Sequence, residues 1–511
     1  MMREVRTRFA PSPTGMLHIG GVRTALYNYF FANKHGGQFV LRIEDTDSTR
    51  FVPEAEQYII STLQWLDIMP DEGIINGGPY GPYRQSNRKE IYQEYAHRLI
   101  ELGHAYYAFD SPDELEAMHH RLSESRVPNP QYGVVSREWM KNSLTLPADE
   151  VKSRIANREP YVIRFKIPCC ETVRFHDEVR GWLKVDTSTL DDKILLKSDG
   201  MATYHLASIV DDYLMKISHV IRGEEWLPSA PFHMLGYKAF GWGDTMPVFV
   251  HLPLLLKPEG QGKLSKRDAE EHGFPIFPLS WYDKQNNKNV IGFREKGYLP
   301  EAIINFLALM GWNPGDNREI FSKDELINEF SIERLGKSGA RFNIKKAEWF
   351  NRKYLGNKNI DYLTTYITED FDRSGIKYST NTVHEVCELI KDRATFTNDL
   401  PELAKPFFID PQSYDDSRID NTKVNDALVW IRNFIISTEN MDWTYSSLHD
   451  VLNEDLKRKG LKMVDVMPTF RLILFGSTNG PDVIKSMIIL GKEKVKGRIS
   501  KYEVSMRTIL R

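Results

Sequence analysis

The order of apolar and polar positions near the amino terminus predicts a strand, a helix and a second strand. Residues 6–10 have strand character, which Pro11 and Pro13 interrupt. Residues 17–33 carry apolar side chains at steps of three and four, as one helix face requires, and residues 39–44 predict the second strand. A strand, a helix and a strand within ~40 residues form a βαβ unit. This unit predicts a parallel sheet with a ligand crevice at its carboxyl edge.

Later segments continue this α/β pattern and then give way to helices. Helices are predicted at residues 53–65 and 85–103 and strands at 194–196 and 248–256, whereas residues 104–190 do not fit the alternation and are interpreted as an insertion. After residue 300, long helical patterns dominate, at 301–309, 383–390, 424–436 and 464–474. The chain is therefore predicted to have an α/β half and an all-helical half, with the boundary between residues 260 and 345.

Length, charge and cysteine content narrow the class of protein. A chain of 511 residues is too long for one hydrophobic core, and its net charge of −3 gives no global positive field, so a nucleic-acid surface has to be local. The three cysteines, Cys169, Cys170 and Cys387, form no Cys-x-x-Cys pair, which argues against a thiolate zinc site and a disulfide framework. Because there is no apolar signal core and no run of roughly 18 apolar residues, we expect a cytoplasmic protein.

The segment His18-Ile19-Gly20-Gly21 stands where the first strand passes into the first helix. Glycines let a triphosphate approach the backbone, and the N–H groups and dipole of a helix N-terminus favour negative charge. A histidine there can donate a hydrogen bond to phosphate oxygens in the transition state. Taken alone, a capped turn with a partly exposed histidine is the more common origin of so short a motif.

A second basic motif, Lys263-Leu264-Ser265-Lys266-Arg267, follows the strand at 248–256 and a loop with Pro258, Gly260 and Gly262. Two lysines and an arginine on a glycine-rich loop suit a mobile clamp on a leaving pyrophosphate. Taken alone, a solvated basic loop is the more common origin of this pattern too.

In their order and wide separation, the two motifs resemble the two signatures of class I aminoacyl-tRNA synthetases. Further segments resemble the glutamyl and glutaminyl subgroup of that family, at residues 8–15, 42–47, 81–86, 203–207, 220–226 and 251–255. In this subgroup, bacterial glutamyl enzymes carry a helical anticodon cage, whereas glutaminyl and archaeal or eukaryotic glutamyl enzymes carry β-barrels. The helical tail, with Gly480–Ile484 in it, therefore resembles the bacterial glutamyl type.

The resemblance implies a division of the chain and a reaction. A Rossmann-type parallel-sheet catalytic domain is expected at residues 1–88 and 190–260, an inserted acceptor-stem-binding domain at 89–189, a stem-contact domain at 261–345, and two helical anticodon-binding domains at 346–412 and 413–511. The implied activity is that of a glutamate–tRNA ligase. It would activate L-glutamate with ATP to glutamyl-adenylate and pyrophosphate, and then transfer glutamate to the 3′-terminal adenosine of its tRNA. Activation is expected to need bound tRNA.

Three other functions stay open at this stage. A glutaminyl-tRNA synthetase would carry a β-barrel tail instead of the helical one. A small nucleotidyltransferase can use the same histidine–glycine turn but is usually far shorter. A tRNA-binding protein without catalysis would not need His18, Lys263 and Lys266.

Glutamate carries two carboxylates and an ammonium, so a pocket selecting it needs cations and an anion. Arg8 and Arg222 are the candidate cations, and the resemblance implies that Arg222 holds the side-chain carboxylate with Tyr204 beside it. Glu44 is expected to bind the ammonium, and a simple ion pair with Arg42 is the alternative. The implied amino-acid contacts are Arg8, Ser12, Glu44, Tyr204, Ser208 and Arg222.

For ATP, the resemblance implies that Glu225 contacts the ribose and Leu255 the adenine, while Trp226 is interpreted as core packing beneath the site. The implied catalytic residues are His18, Gly20, Lys263 and Lys266. The implied ATP-binding residues are Gly20, Gly21, Glu225, Leu255, Lys263, Ser265 and Lys266.

The expected cofactor is Mg²⁺, bound with ATP. Many class I enzymes have histidine where Gly21 stands, although glutamyl enzymes often lack it. Some bacterial glutamyl enzymes hold zinc in the insertion, but only Cys169 and Cys170 lie near it here, so no zinc and no metal ligand from the protein is expected.

The tRNA contacts follow less directly from the sequence. By resemblance, Arg393 lies near the third anticodon base. Residues 485–511 carry eight basic and two acidic side chains, a net +6, which suits contacts with phosphates or a solvated helix end. The expected partners are L-glutamate, ATP and tRNA(Glu), with no membrane, no obligate protein partner and a monomeric chain.

Overall fold

The computed structural model describes residues 4–125, 130–284, 286–415 and 421–509. The chain divides into two compact units, of which the first comprises residues 1–295 and 303–344 and the second residues 296–302 and 345–511. Within these described ranges no helix combines the length and apolarity that a membrane span requires.

The strands lie in the first unit. In chain order they are β1 (Arg6–Phe9), β2 (Gln38–Leu41), β3 (Glu72–Gly73), β4 (Ala105–Ala108), β5 (Val162–Phe165), β6 (Thr172–Asp177), β7 (Gly181–Asp186), β8 (Ile194–Leu196), β9 (His219–Gly223), β10 (Val248–Leu252), β11 (Leu255–Leu256), β12 (Trp281–Asp283), β13 (Lys288–Val290) and β14 (Ala340–Arg341).

The helices of the first unit and its borders are mostly short. They are α1 (Ile19–Lys34), α2 (Pro53–Trp65), α3 (Lys89–Glu101), α4 (Pro112–Glu124), α5 (Ala148–Ala156), α6 (Tyr204–Leu214), α7 (Ala230–Ala239), α8 (Lys266–His272), α9 (Phe293–Lys296), α10 (Pro300–Ala308) and α11 (Lys323–Glu329).

The central sheet has the order β3-β2-β1-β9-β10-β6-β7 and is parallel from β3 to β6. All four residues of β1 are buried, as expected for a strand covered on both faces of a parallel sheet. The first helix begins at Ile19 and the predicted βαβ unit is confirmed, since β1 pairs with β2 in parallel from Arg6↔Gln38 to Phe9↔Leu41. The carboxyl ends of β1, β9 and β10 therefore lie side by side.

The predicted insertion contributes to two sheets. Strands β4, β5 and β8 form a separate three-stranded antiparallel sheet. The hairpin β6–β7, by contrast, joins the edge of the central sheet through the pair Phe249↔Asp177. Burial alternates along β6, which is the pattern of an antiparallel strand with one face on the core. Residues 172–186 are thus part of the central sheet, although their pattern had placed them among the residues of the insertion.

The second unit consists of helices joined by loops and has no strand among its described residues. Its helices are α12 (Ile344–Gly356), α13 (Ile360–Ser374), α14 (Thr380–Ile390), α15 (Asp399–Phe408), α16 (Asn421–Ser437), α17 (Tyr445–Lys459), α18 (Met463–Phe475), α19 (Val483–Leu490) and α20 (Lys492–Ile509). Their buried side chains recur at three- and four-residue steps, as in α14 with Val383, Val386, Cys387 and Ile390. The predicted fold class, a Rossmann-type α/β part followed by an all-helical part, is confirmed.

A buried charge cluster joins the sheet to α3 and α6 in the first unit. The guanidinium of Arg42, fully buried, donates to Asp212 (2.8 Å) and to Glu44 (2.9 Å) and lies 3.8 Å from Asp211. Asp211 also accepts hydrogen bonds from Arg88 (2.7 Å) and from the hydroxyl of Tyr92 on α3 (2.8 Å). Burial alone would lower the pKa of Arg42, but the three carboxylates more than offset it and hold the pKa well above its usual value.

Arg42→Met should destabilise the first unit, because it leaves buried carboxylates without a cation. Removing one partner of a buried ion pair usually lowers the free energy of unfolding by about 3–5 kcal/mol. Urea unfolding of the whole chain measures this change.

Arg318→Met is the matched control, since Arg318 also pairs with two carboxylates, Asp316 and Glu329, but at the surface. It should leave the free energy of unfolding nearly unchanged. Equal effects of the two substitutions would mean that the cluster around Arg42 has no special role in stability.

Candidate functional site

A cavity of about 390 Å³ lies where β1, β9 and β10 end. This is the carboxyl edge of the sheet, where parallel α/β folds bind their ligands. Most of the residues predicted from sequence line this one cavity: Arg8, Ser12, His18, Gly20, Gly21, Glu44, Tyr204, Arg222, Glu225, Leu255 and Lys263.

Four predicted residues lie elsewhere. Ser208 is buried one turn after Tyr204 on α6, and its hydroxyl has no hydrogen-bond partner among the described residues. Ser265 is the exposed N-cap of α8, whose capping box it forms with Asp268. Lys266 is exposed, and its ammonium lies 5.3 Å from the ring centre of Phe277. Arg393 is an exposed residue of the second unit.

His18 caps the helix that borders the cavity. Its imidazole Nδ1 accepts a hydrogen bond from the backbone N–H of Gly20 (3.0 Å). Because Nδ1 accepts, the proton of the neutral ring is assigned to Nε2, which is left as a donor. Burial, followed by the charge of Lys263, lowers the pKa of His18 below its usual 6.5, so the ring is neutral at pH 7.

Gly20 and Gly21 allow this arrangement because a side chain at either position would collide with it. A Cβ on Gly20 would lie 2.7 Å from Cε1 of His18, and a Cβ on Gly21 would lie 2.5 Å from Cδ1 of Leu17. Both distances are well below a normal carbon–carbon contact of ~3.5–4.0 Å. The glycines therefore leave room for the cap formed by His18, whose imidazole and carbonyl accept from the backbone N–H groups at the start of α1.

Lys263 and Glu225 form an ion pair in the cavity wall. Their side chains are half exposed, and Nζ lies 3.2 Å from Oε1. The carboxylate of Glu225 folds against Gly223, where any Cβ would overlap it. The two residues that were predicted to contact the phosphates and the ribose therefore contact each other.

Arg222 is a buried cation without an acidic partner in direct contact. Its Nε donates to Nε2 of His251 (3.0 Å), its Nη1 to the hydroxyl of Tyr204 (2.6 Å) and its Nη2 to the carbonyl of Trp226 (3.3 Å). All three acceptors are uncharged, and Arg222 makes no ion pair with any residue that the structure describes. Burial lowers the pKa of the guanidinium. A ligand carboxylate would supply the missing negative charge.

Arg8, the other candidate cation, is already paired. Its Nε and Nη2 donate to the two carboxylate oxygens of Asp212 (3.1 and 3.4 Å). Burial would raise the pKa of Asp212, but the charges of Arg8 and Arg42 more than offset burial and lower it. Of the two cations, Arg222 is therefore the one that is left to bind an anionic group.

The position of Glu44 agrees with both of its interpretations, as a contact for the ammonium and as an ion-pair partner of Arg42. One carboxylate oxygen accepts from Arg42 (2.9 Å), yet the residue also lines the cavity. Burial raises the pKa of Glu44, and the neighbouring Arg42 offsets part of that rise. A ligand cation would favour the ionised carboxylate further.

Trp226 was predicted to be core packing, and that prediction was wrong. The residue is 39% exposed and lines the cavity, with its ring centre 4.3 Å from that of Tyr204. It stands on a short 3₁₀ helix, Glu224–Ser229, that continues directly from β9 and runs along the rim. The apolar side chain of Trp226 indicated burial. The residue is exposed because it follows the end of β9 at the rim of the cavity.

A second cavity of about 220 Å³ adjoins the first. The two share the linings Ser12, Thr14, Glu44, Arg50, Tyr204 and Trp226, and the second adds Thr46, Asp47, Gln85, Lys197, Ala202 and Thr203. His18, Gly20, Leu255 and Lys263 line only the first. Three of the six predicted amino-acid contacts, Ser12, Glu44 and Tyr204, thus line both cavities, whereas the predicted nucleotide contacts in these linings belong to the first cavity alone.

Several residues of the site were missed from sequence. Asp212 follows Asp211 inside the apolar pattern of α6, and two acids in such a pattern were a usable sign of buried ion pairs. Arg23 lines the cavity and donates to the carbonyl of Met310 (2.8 Å), a contact between positions far apart in the chain that no local pattern indicates.

Cys169 and Cys170 are exposed neighbours on the loop before β6. No group of three or more His, Cys, Asp or Glu side chains that could hold a metal occurs among the residues that the structure describes. The expectation that the chain needs no zinc stays a prediction.

The basic C-terminal segment is used largely inside the second unit. Arg498 is buried and donates to Asp410 (3.1 Å), and Lys494 donates to the carbonyl of Phe407 (3.2 Å). Lys496 pairs with Glu439, and Lys501 pairs with Asp410. Arg511 and the side chain of Arg507 lie outside the described residues. Part of the net +6 is therefore compensated by carboxylates elsewhere in the second unit.

Comparisons with known proteins cover nearly the whole chain. Residues 4–349 match the family model of the catalytic domain of class I tRNA synthetases (E and Q), and residues 358–502 match an anticodon binding domain. A glutamate–tRNA ligase of Amoebophilus asiaticus (strain 5a2) is 58% identical over 98% of both chains. One of Cytophaga hutchinsonii is 51% identical over 97% of this chain and 96% of its own.

A solved structure also has a closely similar fold. The crystal structure of a glutamate tRNA ligase from Elizabethkingia meningosepticum, in complex with its amino acid, superposes with a TM-score of 0.91 at 45% identity. The match covers 98% of this chain and 99% of that one.

Lys263→Gln should raise the pKa of His18 toward its usual value. The substitution removes a positive charge that lowers this pKa, and Glu225, which raises it, loses its partner. Histidine-selective NMR titration of the whole protein measures the change, with Lys284→Gln as the control, since Lys284 is exposed and pairs with Glu54. A pKa of His18 that stays the same or falls in Lys263→Gln would contradict the electrostatic contact.

Proposed function

The chain belongs to the class I tRNA synthetases (E and Q), and we propose that its cavity activates L-glutamate with ATP and passes the glutamyl group to a tRNA. The product of the first step is glutamyl-adenylate with pyrophosphate as the leaving group. The second step esterifies the 3′-terminal adenosine of the tRNA. The chain acts as a glutamate–tRNA ligase, and contacts in the cavity support the roles proposed for most of its site residues.

The observation that carries the proposal is the buried charge of Arg222. Its three donor nitrogens are held by neutral acceptors, so its charge is free to attract an anion in the same cavity that holds His18 and Lys263. The side-chain carboxylate of glutamate supplies that anion. Glutamine offers a neutral amide instead and would leave the buried cation without compensation.

The ammonium of glutamate is assigned to Glu44. This carboxylate lies in the wall shared by the two cavities, and its partner Arg42 is itself shared with Asp212. Ser12 lies in the same wall, and Arg8, oriented by Asp212, is the further cation near the α-carboxylate. Ser208, one turn after Tyr204, is proposed as a further amino-acid contact through its hydroxyl, which has no partner among the described residues.

The chemistry of the first step needs no general base, because the nucleophile is already a carboxylate. An α-carboxylate oxygen of glutamate attacks the α-phosphorus of ATP in line, and the bond to the bridging oxygen of pyrophosphate breaks. Nε2–H of His18, the start of α1 at Gly20 and the ammonium of Lys263 are assigned to the charge that develops on the phosphates. Lys266, next in the chain after the cap Ser265, is assigned to the leaving pyrophosphate.

Glu225 and Leu255 are assigned to the ribose and the adenine, with Gly21 beside the phosphates. The side chains assigned to the phosphates are N–H donors, and the neighbouring carboxylate of Glu225 is paired with Lys263. This donor set fits a Mg²⁺ ion that is carried on the phosphates of ATP and not in a cage of carboxylates. When bound, the ion neutralises phosphate charge.

The second step is assigned to the cavity that adjoins the amino-acid side. Thr46, Gln85 and Lys197 in its lining offer polar contacts to a terminal adenosine next to the activated carboxyl. The 2′-hydroxyl of that adenosine is the proposed nucleophile and AMP is the leaving group. An acceptor end that completes this wall would make activation depend on tRNA.

The tRNA itself is assigned to the remaining parts of the chain. Residues 89–189, apart from the hairpin 172–186 in the central sheet, would hold the acceptor stem. Residues 261–345 would hold the stem beyond it, and residues 346–412 and 413–511 the anticodon. Arg393 is the proposed contact near the third anticodon base. We propose tRNA(Glu) as the substrate and a monomer that acts in the cytoplasm without an obligate protein partner.

Exchange of labelled pyrophosphate into ATP tests the proposed function. Exchange should require glutamate together with its tRNA, and glutamine should not replace glutamate. Arg222→Leu should raise the KM for glutamate by about 10²-fold, because a charge-assisted hydrogen bond between buried groups is lost. Robust exchange without RNA would contradict the tRNA dependence, and equal use of glutamine would contradict the role of Arg222.

Lys266→Ala should lower the rate of activation by about 10²-fold, a typical loss when one preorganised transition-state donor is removed. The KM for glutamate should barely change, since no contact of Lys266 reaches the amino-acid side. Lys288→Ala is the control, because Lys288 is an exposed lysine of the same unit that pairs with Glu270. A near-normal rate in Lys266→Ala would mean that residues 263–267 are a solvated loop without a role in activation.

A further inference from the structure

His251 and Asp177 form a buried pair next to Arg222, and neither residue lines the cavity. His251 comes from β10, while Asp177 is the last residue of β6, in the hairpin at the edge of the sheet. Both side chains are completely inaccessible to solvent. The reaction proposed above uses neither of them, so their burial as two polar groups needs its own explanation.

The contacts form a chain from the hairpin to the guanidinium. Nε of Arg222 lies 3.0 Å from Nε2 of His251, and Nδ1 of His251 lies 2.7 Å from a carboxylate oxygen of Asp177. The same oxygen accepts from the backbone N–H of His251 (3.1 Å). The other oxygen of Asp177 accepts from the backbone N–H groups of Val179 (3.0 Å) and Arg180 (2.9 Å) in the hairpin turn.

These contacts determine the proton on His251. A guanidinium can only donate, so Nε2 of the imidazole has to accept, and the ring proton therefore lies on Nδ1 and points to Asp177. Burial lowers the pKa of His251, and burial together with the charges of Arg222 and Arg8 outweighs the contacts with Asp177, which would raise it. For Asp177 burial would raise the pKa, but its contacts with His251 and the turn more than offset burial and lower it.

A neutral acceptor holds Arg222 without cancelling its charge. Because the guanidinium is planar, fixing Nε at His251 and Nη1 at Tyr204 (2.6 Å) sets the orientation of the whole group. An aspartate or glutamate in place of His251 would also accept from Nε, but it would compensate the cation that the ligand carboxylate has to meet.

We propose that His251, oriented by Asp177, is a positioning residue for Arg222 and so determines the preference of the site for an amino acid with a side-chain carboxylate. The proposal rests on the assignment of Arg222 to that carboxylate. The feature required of His251 is an uncharged acceptor at Nε2. Asp177, at the end of β6 in the hairpin β6–β7, keeps the imidazole in the tautomer that provides this acceptor.

Three substitutions distinguish the loss of the hydrogen-bond acceptor of His251 from the loss of its packing. His251→Gln keeps an oxygen acceptor near the position of Nε2, His251→Asn keeps only a donor near the position of Nδ1, and His251→Leu keeps neither. The KM for glutamate, the KM for ATP and kcat are measured by pyrophosphate exchange with the full chain and saturating tRNA.

His251→Asn and His251→Leu should each raise the KM for glutamate by about 10- to 100-fold, as expected when one hydrogen bond to a buried charged group is lost. The KM for ATP should stay within about two-fold, because His251 has no contact on the nucleotide side. His251→Gln should stay within about three-fold of the wild type for glutamate, and the preference for glutamate over glutamine should follow the same order.

Equal increases of both KM values in all three variants would overturn the proposal, since a packing defect would produce that result. So would a glutamate KM in His251→Leu that equals that of the wild type. If the wild type gives no glutamate-dependent exchange at all, the proposed function fails, and the variants are not needed to detect that outcome.

The tautomer of His251 gives a measurement that needs no folded variant. In histidine-labelled wild-type protein, ¹⁵N NMR should show His251 with its proton on Nδ1 and with an unprotonated Nε2 at neutral pH. A proton on Nε2, or a charged ring, would overturn the proposal, because neither form can accept from Arg222.

Discussion

Three arginines, Arg8, Arg42 and Arg222, lie buried at the carboxyl edge of one parallel sheet, and the fold compensates their charges unequally. Arg8 and Arg42 share the carboxylate of Asp212, and Arg42 also meets Glu44. Arg222 meets only neutral acceptors among the residues that the structure describes. Burying a cation without a carboxylate is unfavourable unless hydrogen bonds hold it. That imbalance is the basis of the proposed preference of the cavity for an anion.

Most of the fold followed from local patterns, because its elements carry their own signals. The first strand, the helix from Ile19 and the helix Pro53–Trp65 have regular periodicity and clear ends at proline or glycine. The hairpin β6–β7 could not be placed in the central sheet, since one residue pair, Phe249↔Asp177, joins it there. A contact across more than seventy positions leaves no periodic trace in the sequence.

The residues of the site show the same difference between local contacts and contacts across long stretches of the chain. His18 and Gly20 contact each other two positions apart, so a short motif was enough to identify them. The partners of the arginines are remote in sequence: Asp212 for Arg8 and His251 for Arg222. Family resemblance named Arg222 but gave no reason for its orientation. Lys266 and Ser208 lie outside the cavity lining because one belongs to an exposed helix start and the other to a packed helix face.

The ion pair between Lys263 and Glu225 has a consequence for which molecules can bind. A ligand that attracts only Lys263, such as free pyrophosphate, would leave the carboxylate of Glu225 without its cation. A nucleoside without phosphates would leave Lys263 without its anion. In the proposed roles of Glu225 and Lys263, a molecule that carries both a ribose and phosphates replaces the two halves of the pair at once. The pair would thus favour a nucleotide over a free nucleoside or free pyrophosphate.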